Sequence, residues 1–187
     1  RLWGAENLGD VTYASPLYVA DTAGGLIVVA TGNGVTAFGA TTGRVVWAKS
    51  LPMEFFASPI GLDVNGDKLT DVVVTARNGN VYALDGLTGD EIWATNIGAH
   101  VRASPASFDV NNDGIRDLIF ADENGRLTVF DTSWGREILS YKVSENSYLA
   151  SPVMGDLTND KLLEVVLVSE KGEISAIGLN RIVGEGK

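Results

Sequence analysis

The sequence contains no cysteine and only one histidine among its 187 residues. Without cysteine there can be no disulfide, thiolate metal site or thiol catalysis, and the redox compartment stays open. Because His100 is the only imidazole, a multi-histidine metal centre and a Ser-His-Asp arrangement without His100 are excluded as well. Apolar runs such as 26–30 have strand length, far below the ~20 residues of a membrane span. The chain begins with Arg and shows no signal-peptide pattern, so we expect a trimmed or excised start.

Positive charge is also scarce. The 14 Lys and Arg residues face 24 Asp and Glu, which gives a formal net charge of −10. A duplex nucleic-acid surface needs clustered Lys and Arg, so we expect no nucleic-acid partner. The 45% hydrophobic and 20% charged residues are typical of a folded globular chain.

Much of the acidity lies in three nine-residue loops, 63–71, 109–117 and 156–164. Oxygen-bearing side chains occupy positions 1, 3, 5 and 9 of each loop, and an apolar residue at position 7 offers its carbonyl and is expected to anchor the loop against the sheet. Alternating oxygen ligands along a turning loop suit Ca²⁺, which takes six to eight oxygens, better than Mg²⁺. We therefore predict about three Ca²⁺ sites. Their ligands would be Asp63, Asn65, Asp67, Leu69 and Asp71; Asp109, Asn111, Asp113, Ile115 and Asp117; and Asp156, Thr158, Asp160, Leu162 and Glu164.

An alternative for these loops stays open, because Asp, Asn and Gly also favour plain turns between strands. The third loop is the weakest, with Thr158 and Glu164 in place of Asn and Asp. The corresponding segment of the first repeat, 21–25, carries a single acid and is expected to bind no metal.

The loops belong to a repeat. An Ala-Ser-Pro triplet occurs four times, with serines at 15, 58, 104 and 151, and each triplet precedes a short segment, a loop, a β-branched run and a glycine turn. Short alternating runs predict about four antiparallel strands per unit, and no segment shows a helical period. Units of this length and strand count predict an all-β fold, a β-propeller of four-stranded antiparallel blades. A β-sandwich would not explain why the same Ala-Ser-Pro triplet and glycine turn recur in each unit.

We expect a single propeller domain or fragment over 1–187, with blades at about 10–50, 51–97, 98–143 and 144–187. Residues 1–9 would form the outer strand of the last blade or of another blade. The chain would then be a closed four-bladed ring, or part of a seven- or eight-bladed ring completed by further sequence or by a second copy.

Two family resemblances appear in the repeat. Residues 58–74, 104–120 and 151–168 resemble the FG-GAP repeats of integrin-α-like propellers, which implies calcium in the acidic loops. The segment 83–93 is similar to the tryptophan-docking motif of quinoprotein-like (PQQ-like) propellers, A-x-D-x-x-T-G-x-x-x-W, and 37–47 matches except for Gly39. That resemblance implies that Trp3, Trp47 and Trp93 pack between blades. The third copy departs from the motif at Trp134 and Leu139.

The strand order places acidic loops and Thr-Gly turns on one face. The opposite face gathers the segments that begin each blade, 10–13, 53–56, 100–102 and 145–148, which we call the blade-start segments. We expect a protein or carbohydrate ligand there. Tyr13, Phe55, Phe56 and Tyr148 could stack on a ligand or pack against neighbouring blades, and His100 is expected to be an ordinary loop residue.

The calcium loops favour a non-catalytic, calcium-stabilised propeller for recognition or adhesion at the cell surface or outside the cell. One alternative is a periplasmic quinoprotein-like scaffold for protein assembly. Another is a non-catalytic part of a PQQ-dependent dehydrogenase or polysaccharide lyase; the quinoprotein active site uses adjacent cysteines, which this chain lacks. We expect no enzyme activity, an extracellular, cell-surface or periplasmic location, and self-association if a larger ring must be completed.

Overall fold

The computed structural model describes residues 2–4, 8, 13–20 and 24–179, and these form an all-β fold. Three sheets of four strands and one of three strands follow each other along the chain, each an antiparallel meander. This is the predicted β-propeller architecture with about four blades. The chain divides into two compact units, Arg1–Gly98 and Ala99–Lys187.

The first unit holds blades one and two. In each blade the strands pair in sequence order, β1-β2-β3-β4 and β5-β6-β7-β8. The strands are β1 (Leu17–Val19), β2 (Leu26–Thr31), β3 (Gly34–Gly39), β4 (Val45–Ser50), β5 (Ile60–Leu62), β6 (Asp71–Thr75), β7 (Asn80–Leu84) and β8 (Glu91–Asn96).

The second unit holds blades three and four. Blade three has four strands, and blade four has three in the described part of the chain. The strands are β9 (Ala106–Phe108), β10 (Asp117–Ala121), β11 (Arg126–Asp131), β12 (Arg136–Lys142), β13 (Val153–Gly155), β14 (Glu164–Val168) and β15 (Ile174–Gly178).

Each unit has its own apolar core, built mainly from the second and third strands of its blades. Every residue of β6 and of β10 is buried, which explains why these strands are continuous apolar runs and do not alternate with polar residues. The fourth strands β4, β8 and β12 are largely exposed or half-buried. In these sheets the second strands are therefore buried, and the fourth strands are partly exposed to solvent.

The tryptophan-docking prediction is confirmed for Trp3 and Trp47. The Trp47 indole Nε1 donates to the Gly86 carbonyl of blade two at 3.1 Å, and Trp3 Nε1 donates to the Ala40 carbonyl of blade one at 2.7 Å. Each indole lies over the glycine of a Thr-Gly turn, Gly89 or Gly43, where a Cβ would lie 2.5 Å from the ring. Glycine is required there for both its space and its positive φ. The expectation for Trp93 stays a prediction.

The predicted outer strand at 1–9 lies mostly outside the described residues. The part that the structure describes near Trp3, residues 2–4, has no strand assignment.

Candidate functional site

The acidic loops lie where the sequence placed them, between the first and second strands of blades two, three and four. In the first loop both carboxylate oxygens of Asp63 accept backbone N–H groups, from Gly66 at 2.7 Å and Lys68 at 2.9 Å. Asn65 and Asp67 each accept the N–H two residues further on. These bonds fold the loop around its own side-chain oxygens, and the positive φ of Lys68 allows the turn.

The other two loops use the same arrangement. Asp109 accepts the N–H groups of Asp113 and Gly114, and Asp156 accepts those of Asp160 and Lys161, at 3.0 to 3.2 Å. The repetition shows that position 1 organises the loop in all three blades.

Position 9 of each loop is the first residue of a buried strand and is itself buried, at Asp71, Asp117 and Glu164. Each of these carboxylates reaches back to accept the N–H of position 2, at Val64 (3.1 Å), Val110 (2.9 Å) or Leu157 (2.8 Å). The loops are thus closed at their base by one carboxylate each.

Burial makes it costly to ionise the Asp71 and Asp117 carboxyl groups. Desolvation raises the pKa of Asp71 to about 6 and that of Asp117 to about 6, although backbone hydrogen bonds oppose the shift. Nearby acids, Asp67 and Asp85 for the first and Asp113 and Asp131 for the second, raise the pKa further. The second oxygen of Asp117, Oδ1, is buried and has no hydrogen-bond partner among the described residues.

The loop anchor differs from the prediction. Leu69 and Leu162 at position 7 are exposed, so the expectation that position 7 packs against the sheet is wrong for the first and third loops, whereas Ile115 of the second loop is half-buried. In the first loop Val64 at position 2 is buried instead. It continues the in–out alternation of β5 beyond Leu62, which also points inward.

The donor set of the loops suits a hard cation. Carboxylate and amide oxygens line the turn, and Asp117 Oδ1 is an orphaned buried acceptor at its base. Among the described residues, however, no three His, Cys, Asp or Glu side chains are gathered in a cluster that could hold a metal ion. The residue types suit Ca²⁺ but the side chains are not gathered into a cluster, and the metal assignment, with its ligands at 63–71, 109–117 and 156–164, stays a prediction. The segment 21–23, expected to be metal-free, lies outside the described residues.

The opposite end of each blade is also built by a repeated contact. In blades two, three and four a backbone carbonyl of the blade-start segment accepts a hydrogen bond from the N–H of the second residue after the second strand: Arg77 to Glu54, Glu123 to His100, and Glu170 to Ser147. Ion pairs strengthen two of these contacts, Arg77 with Glu54 at 3.1 Å and Arg102 with Glu123 at 2.7 Å. This confirms that the blade-start segments and glycine hairpins share an end of blades two, three and four, whereas the blade-one segment 10–12 lies outside the described residues.

The aromatic residues of these segments divide into two groups. Phe55 and Tyr148, together with Val101 at the equivalent position, are buried and serve packing. Tyr13 is 72% exposed and stacks on Phe56, with ring centroids 5.0 Å apart and planes 13° apart. Of the four aromatic candidates, Tyr13 and Phe56 thus offer a surface to a ligand.

A pocket of about 460 Å³ opens beside this stack in the first unit. Its wall is formed by Pro52 and the blade-two start segment 53–56, and Tyr13 and Gly32 of blade one complete the lining. The Arg77 guanidinium lies 5.9 Å from the Phe56 ring centroid while it pairs with Glu54. An aromatic stack beside Pro52 and Met53, with one ion pair next to it, suits an apolar or aromatic side chain from a partner better than a small charged ligand. His100 is exposed and lies 3.9 Å from Glu123, as expected for a loop residue.

Comparisons with known proteins point to one family. The PQQ_2 family, described as outer membrane protein assembly factor BamB, matches residues 1–181. No curated protein sequence matches the chain. In the described part of the chain no helix has the length and apolarity that a membrane crossing needs.

Solved structures share the fold at low identity. BamB from Moraxella catarrhalis is 19% identical with a TM-score of 0.60, over 87% of this chain and 44% of that one. BBS1N in complex with ARL6DN is 12% identical with a TM-score of 0.66, over 91% and 53%. A europium-containing methanol dehydrogenase is 12% identical with a TM-score of 0.58, over 83% and 39%. This chain spans about half the length, or less, of these structures.

Proposed function

Because the match spans residues 1–181, this chain belongs to the family of the outer membrane protein assembly factor BamB, and from that membership we propose a periplasmic scaffold for protein assembly. The scaffold docks a protein partner through the blade-start face. This is the alternative that the sequence left open, and the family match favours it over recognition or adhesion outside the cell.

The observation that carries the proposal is the pocket beside Tyr13 and Phe56. Hot spots of protein interfaces are enriched in aromatic and Arg side chains set in a pocket. Here the Phe56 ring contacts both an exposed Tyr13 and the Arg77 guanidinium, which also pairs with Glu54. A pre-positioned stack loses little side-chain freedom when a partner binds.

The proposed role is not catalytic. The sequence identity to the methanol dehydrogenase is 12%, so the similarity shows a shared fold only. Among the described residues, the two titratable groups with a clearly raised pKa are Asp71 and Asp117, whose carboxylates accept backbone N–H groups at the start of the acidic-loop blades' second strands. Fold likeness alone does not transfer a reaction.

Site-specific photo-cross-linking tests the docking face. A photoreactive phenylalanine analogue at position 56 is expected to cross-link, in the periplasm, to a component of outer membrane protein assembly. The matched control carries the same analogue at Tyr141, an exposed aromatic residue on the outer strand β12, and is expected to give no such product. Cross-linking from position 141 with none from position 56 would contradict the proposed face.

As a second proposal, the acidic loops bind Ca²⁺ and stabilise the blades. It is supported by the oxygen donors at positions 1, 3, 5 and 9 and by the orphaned Asp117 Oδ1. A bound cation would supply positive charge at a buried carboxylate that otherwise lacks a counter-charge. The second loop, 109–117, has the most complete ligand set and is the first candidate; the third, with Thr158, Glu164 and an exposed Leu157, is the weakest.

A further inference from the structure

The first acidic loop carries an asparagine followed by a glycine, Asn65 and Gly66, at its positions 3 and 4. Such a pair is chemically labile, because the glycine nitrogen can attack the side-chain carbonyl carbon of the asparagine and close a cyclic imide. Glycine favours the attack, since it has no Cβ to hinder it. Both residues are exposed, and a Cβ on Gly66 would meet no atom within 4 Å, so the loop leaves room for the ring.

Two carboxylates contact the nitrogen atoms that react. The Gly66 N–H donates to Asp63 Oδ1 at 2.7 Å, so a carboxylate already touches the nitrogen that would attack. The leaving nitrogen, Asn65 Nδ2, donates to Asp67 Oδ2 at 3.1 Å. A carboxylate within hydrogen-bond distance of the proton that it takes can act as a general base. Asp63 is therefore placed to deprotonate the attacking nitrogen.

The first loop differs in this respect from the other two. In the first loop Asp63 accepts the N–H groups of positions 4 and 6, whereas in the other loops the position-1 carboxylate accepts those of positions 5 and 6. Position 3 of the second loop, Asn111, makes the same side-chain hydrogen bonds as Asn65, but the next residue is Asn112, whose Cβ hinders the attack. The third loop has Thr158 at position 3 and so no amide to convert.

The hairpins contain further Asn-Gly pairs, but their contacts are different. The four pairs of the sequence begin at Asn33, Asn65, Asn78 and Asn124. The Gly79 N–H donates to the Ala76 carbonyl at 3.0 Å. The Gly125 N–H donates to the Asp122 carbonyl at 3.2 Å. A peptide carbonyl is a far weaker base than a carboxylate, so these two glycine nitrogens are bonded to a poor proton acceptor.

We propose that Asn65 is a self-modification site, at which the chain converts its own amide to aspartate and isoaspartate. The Gly66 nitrogen bonds to Asn65 Cγ as its proton passes to Asp63. The Cγ–Nδ2 bond then breaks, and Nδ2 leaves as ammonia with a proton from the solvent while Asp63 releases its own. Water opens the imide on either side, which gives aspartate with the original backbone or isoaspartate with a longer one. Both products add a negative charge at position 3.

The inference rests on the contacts of this loop and is independent of the proposed docking of a partner, which uses the blade-start segments. Asparagine at position 3 donates through its amide to Asp67, whereas a carboxylate there can only accept. The first loop of an aged molecule therefore has one more oxygen acceptor and one more negative charge than that of a newly made one.

Ageing of the purified chain in EDTA, at physiological temperature and neutral pH, tests the proposal. Peptide mapping by mass spectrometry follows the amide-to-carboxyl conversion at each Asn-Gly pair, and isoaspartyl methyltransferase labels the isoaspartate. Asn65 should convert at least about tenfold faster than Asn78 and Asn124, since a positioned general base contributes on this scale or above. In urea, where the folded contacts are lost, the three should convert at similar rates. Equal rates in the folded protein would overturn the proposal.

Asp63→Asn separates a chemical role of this residue from a structural one, because it keeps an acceptor oxygen and removes the base. If Asp63 takes the proton, conversion of Asn65 should slow by about tenfold or more. If Asp63 only holds the loop, the loosened loop should convert at the same rate or faster, and that result would contradict the proposed chemistry. Asp109→Asn, at position 1 of the second loop, is the matched control and should leave the rate at Asn65 unchanged.

Discussion

At the scale of single residues, the loop-base carboxylates are the most consequential feature. Asp71 and Asp117 are buried where desolvation raises the pKa of each to about 6. A carboxyl with a raised folded-state pKa adds stability that is fully present below the ordinary value of 3.8 and is lost as pH rises through about 6. Without metal these two groups should oppose the stability of the blades at neutral pH.

This predicts a pH-dependent difference between the wild-type protein and Asp117→Asn in EDTA. As pH rises from ~4 to ~7, the free energy of unfolding of the wild type should fall relative to that of the variant, which cannot ionise there. Urea denaturation at several pH values measures it. A constant difference would mean that the pKa of Asp117 is not raised.

With Ca²⁺ at neutral pH, the wild type should instead become more stable relative to Asp117→Asn. At a concentration about 100-fold above its dissociation constant, a cation bound only by the folded state adds about 2.7 kcal/mol. The wild type should therefore gain stability in Ca²⁺ relative to EDTA, and Asp117→Asn should gain less. If the melting temperature of the wild type were the same in Ca²⁺ and in EDTA, loops 63–71, 109–117 and 156–164 would be plain turns that bind no metal.

At the scale of elements, the tryptophan docked on the neighbouring blade links one sheet to the next. Trp47→Ala should lower the free energy of unfolding by about 3–5 kcal/mol, because removing the buried indole leaves an unfilled cavity. Trp134→Ala is the matched control, because Trp134 is 73% exposed and its loss should change stability by less than ~0.5 kcal/mol. Chemical denaturation followed by circular dichroism compares the two. Equal effects would contradict the docking role of Trp47.

The sequence predicted most of the strands, because apolar runs mark the strands and Gly turns mark their ends.

The β-bulges were not predicted from the sequence. In three blades the pairing of the third and fourth strands shifts at the same place, between Ala37 and Phe38, Ala83 and Leu84, and Val129 and Phe130. The extra residue lies in a fourth strand that is mostly exposed or half-buried, so the strand has no clear hydrophobic alternation whose interruption would mark the shift. The loop anchor was misplaced for a related reason: loop alternation alone does not show which side faces the sheet.

At the scale of the whole molecule, the two ends of the blades have different roles. In blades two and three the acidic loop is bonded to the turn between the third and fourth strands: the Gly86 N–H donates to Asp71 Oδ1 at 3.4 Å, and Thr132 Oγ1 donates to the Arg116 carbonyl at 2.6 Å. The blade-start face instead exposes Tyr13 beside a pocket. The sequence predicted this division from strand order, but not which aromatic residues are exposed, because that depends on packing between blades.

The central claim is that the blade-start face docks the partner while the acidic loops brace the fold. The most direct test compares, in cells that depend on this protein, the abundance of assembled outer membrane proteins for two variants present at equal levels. Tyr13→Ala combined with Phe56→Ala should lower that abundance strongly, whereas Asp109→Ala should leave it near the wild-type level. Normal assembly with the double variant and failed assembly with Asp109→Ala would contradict the claim.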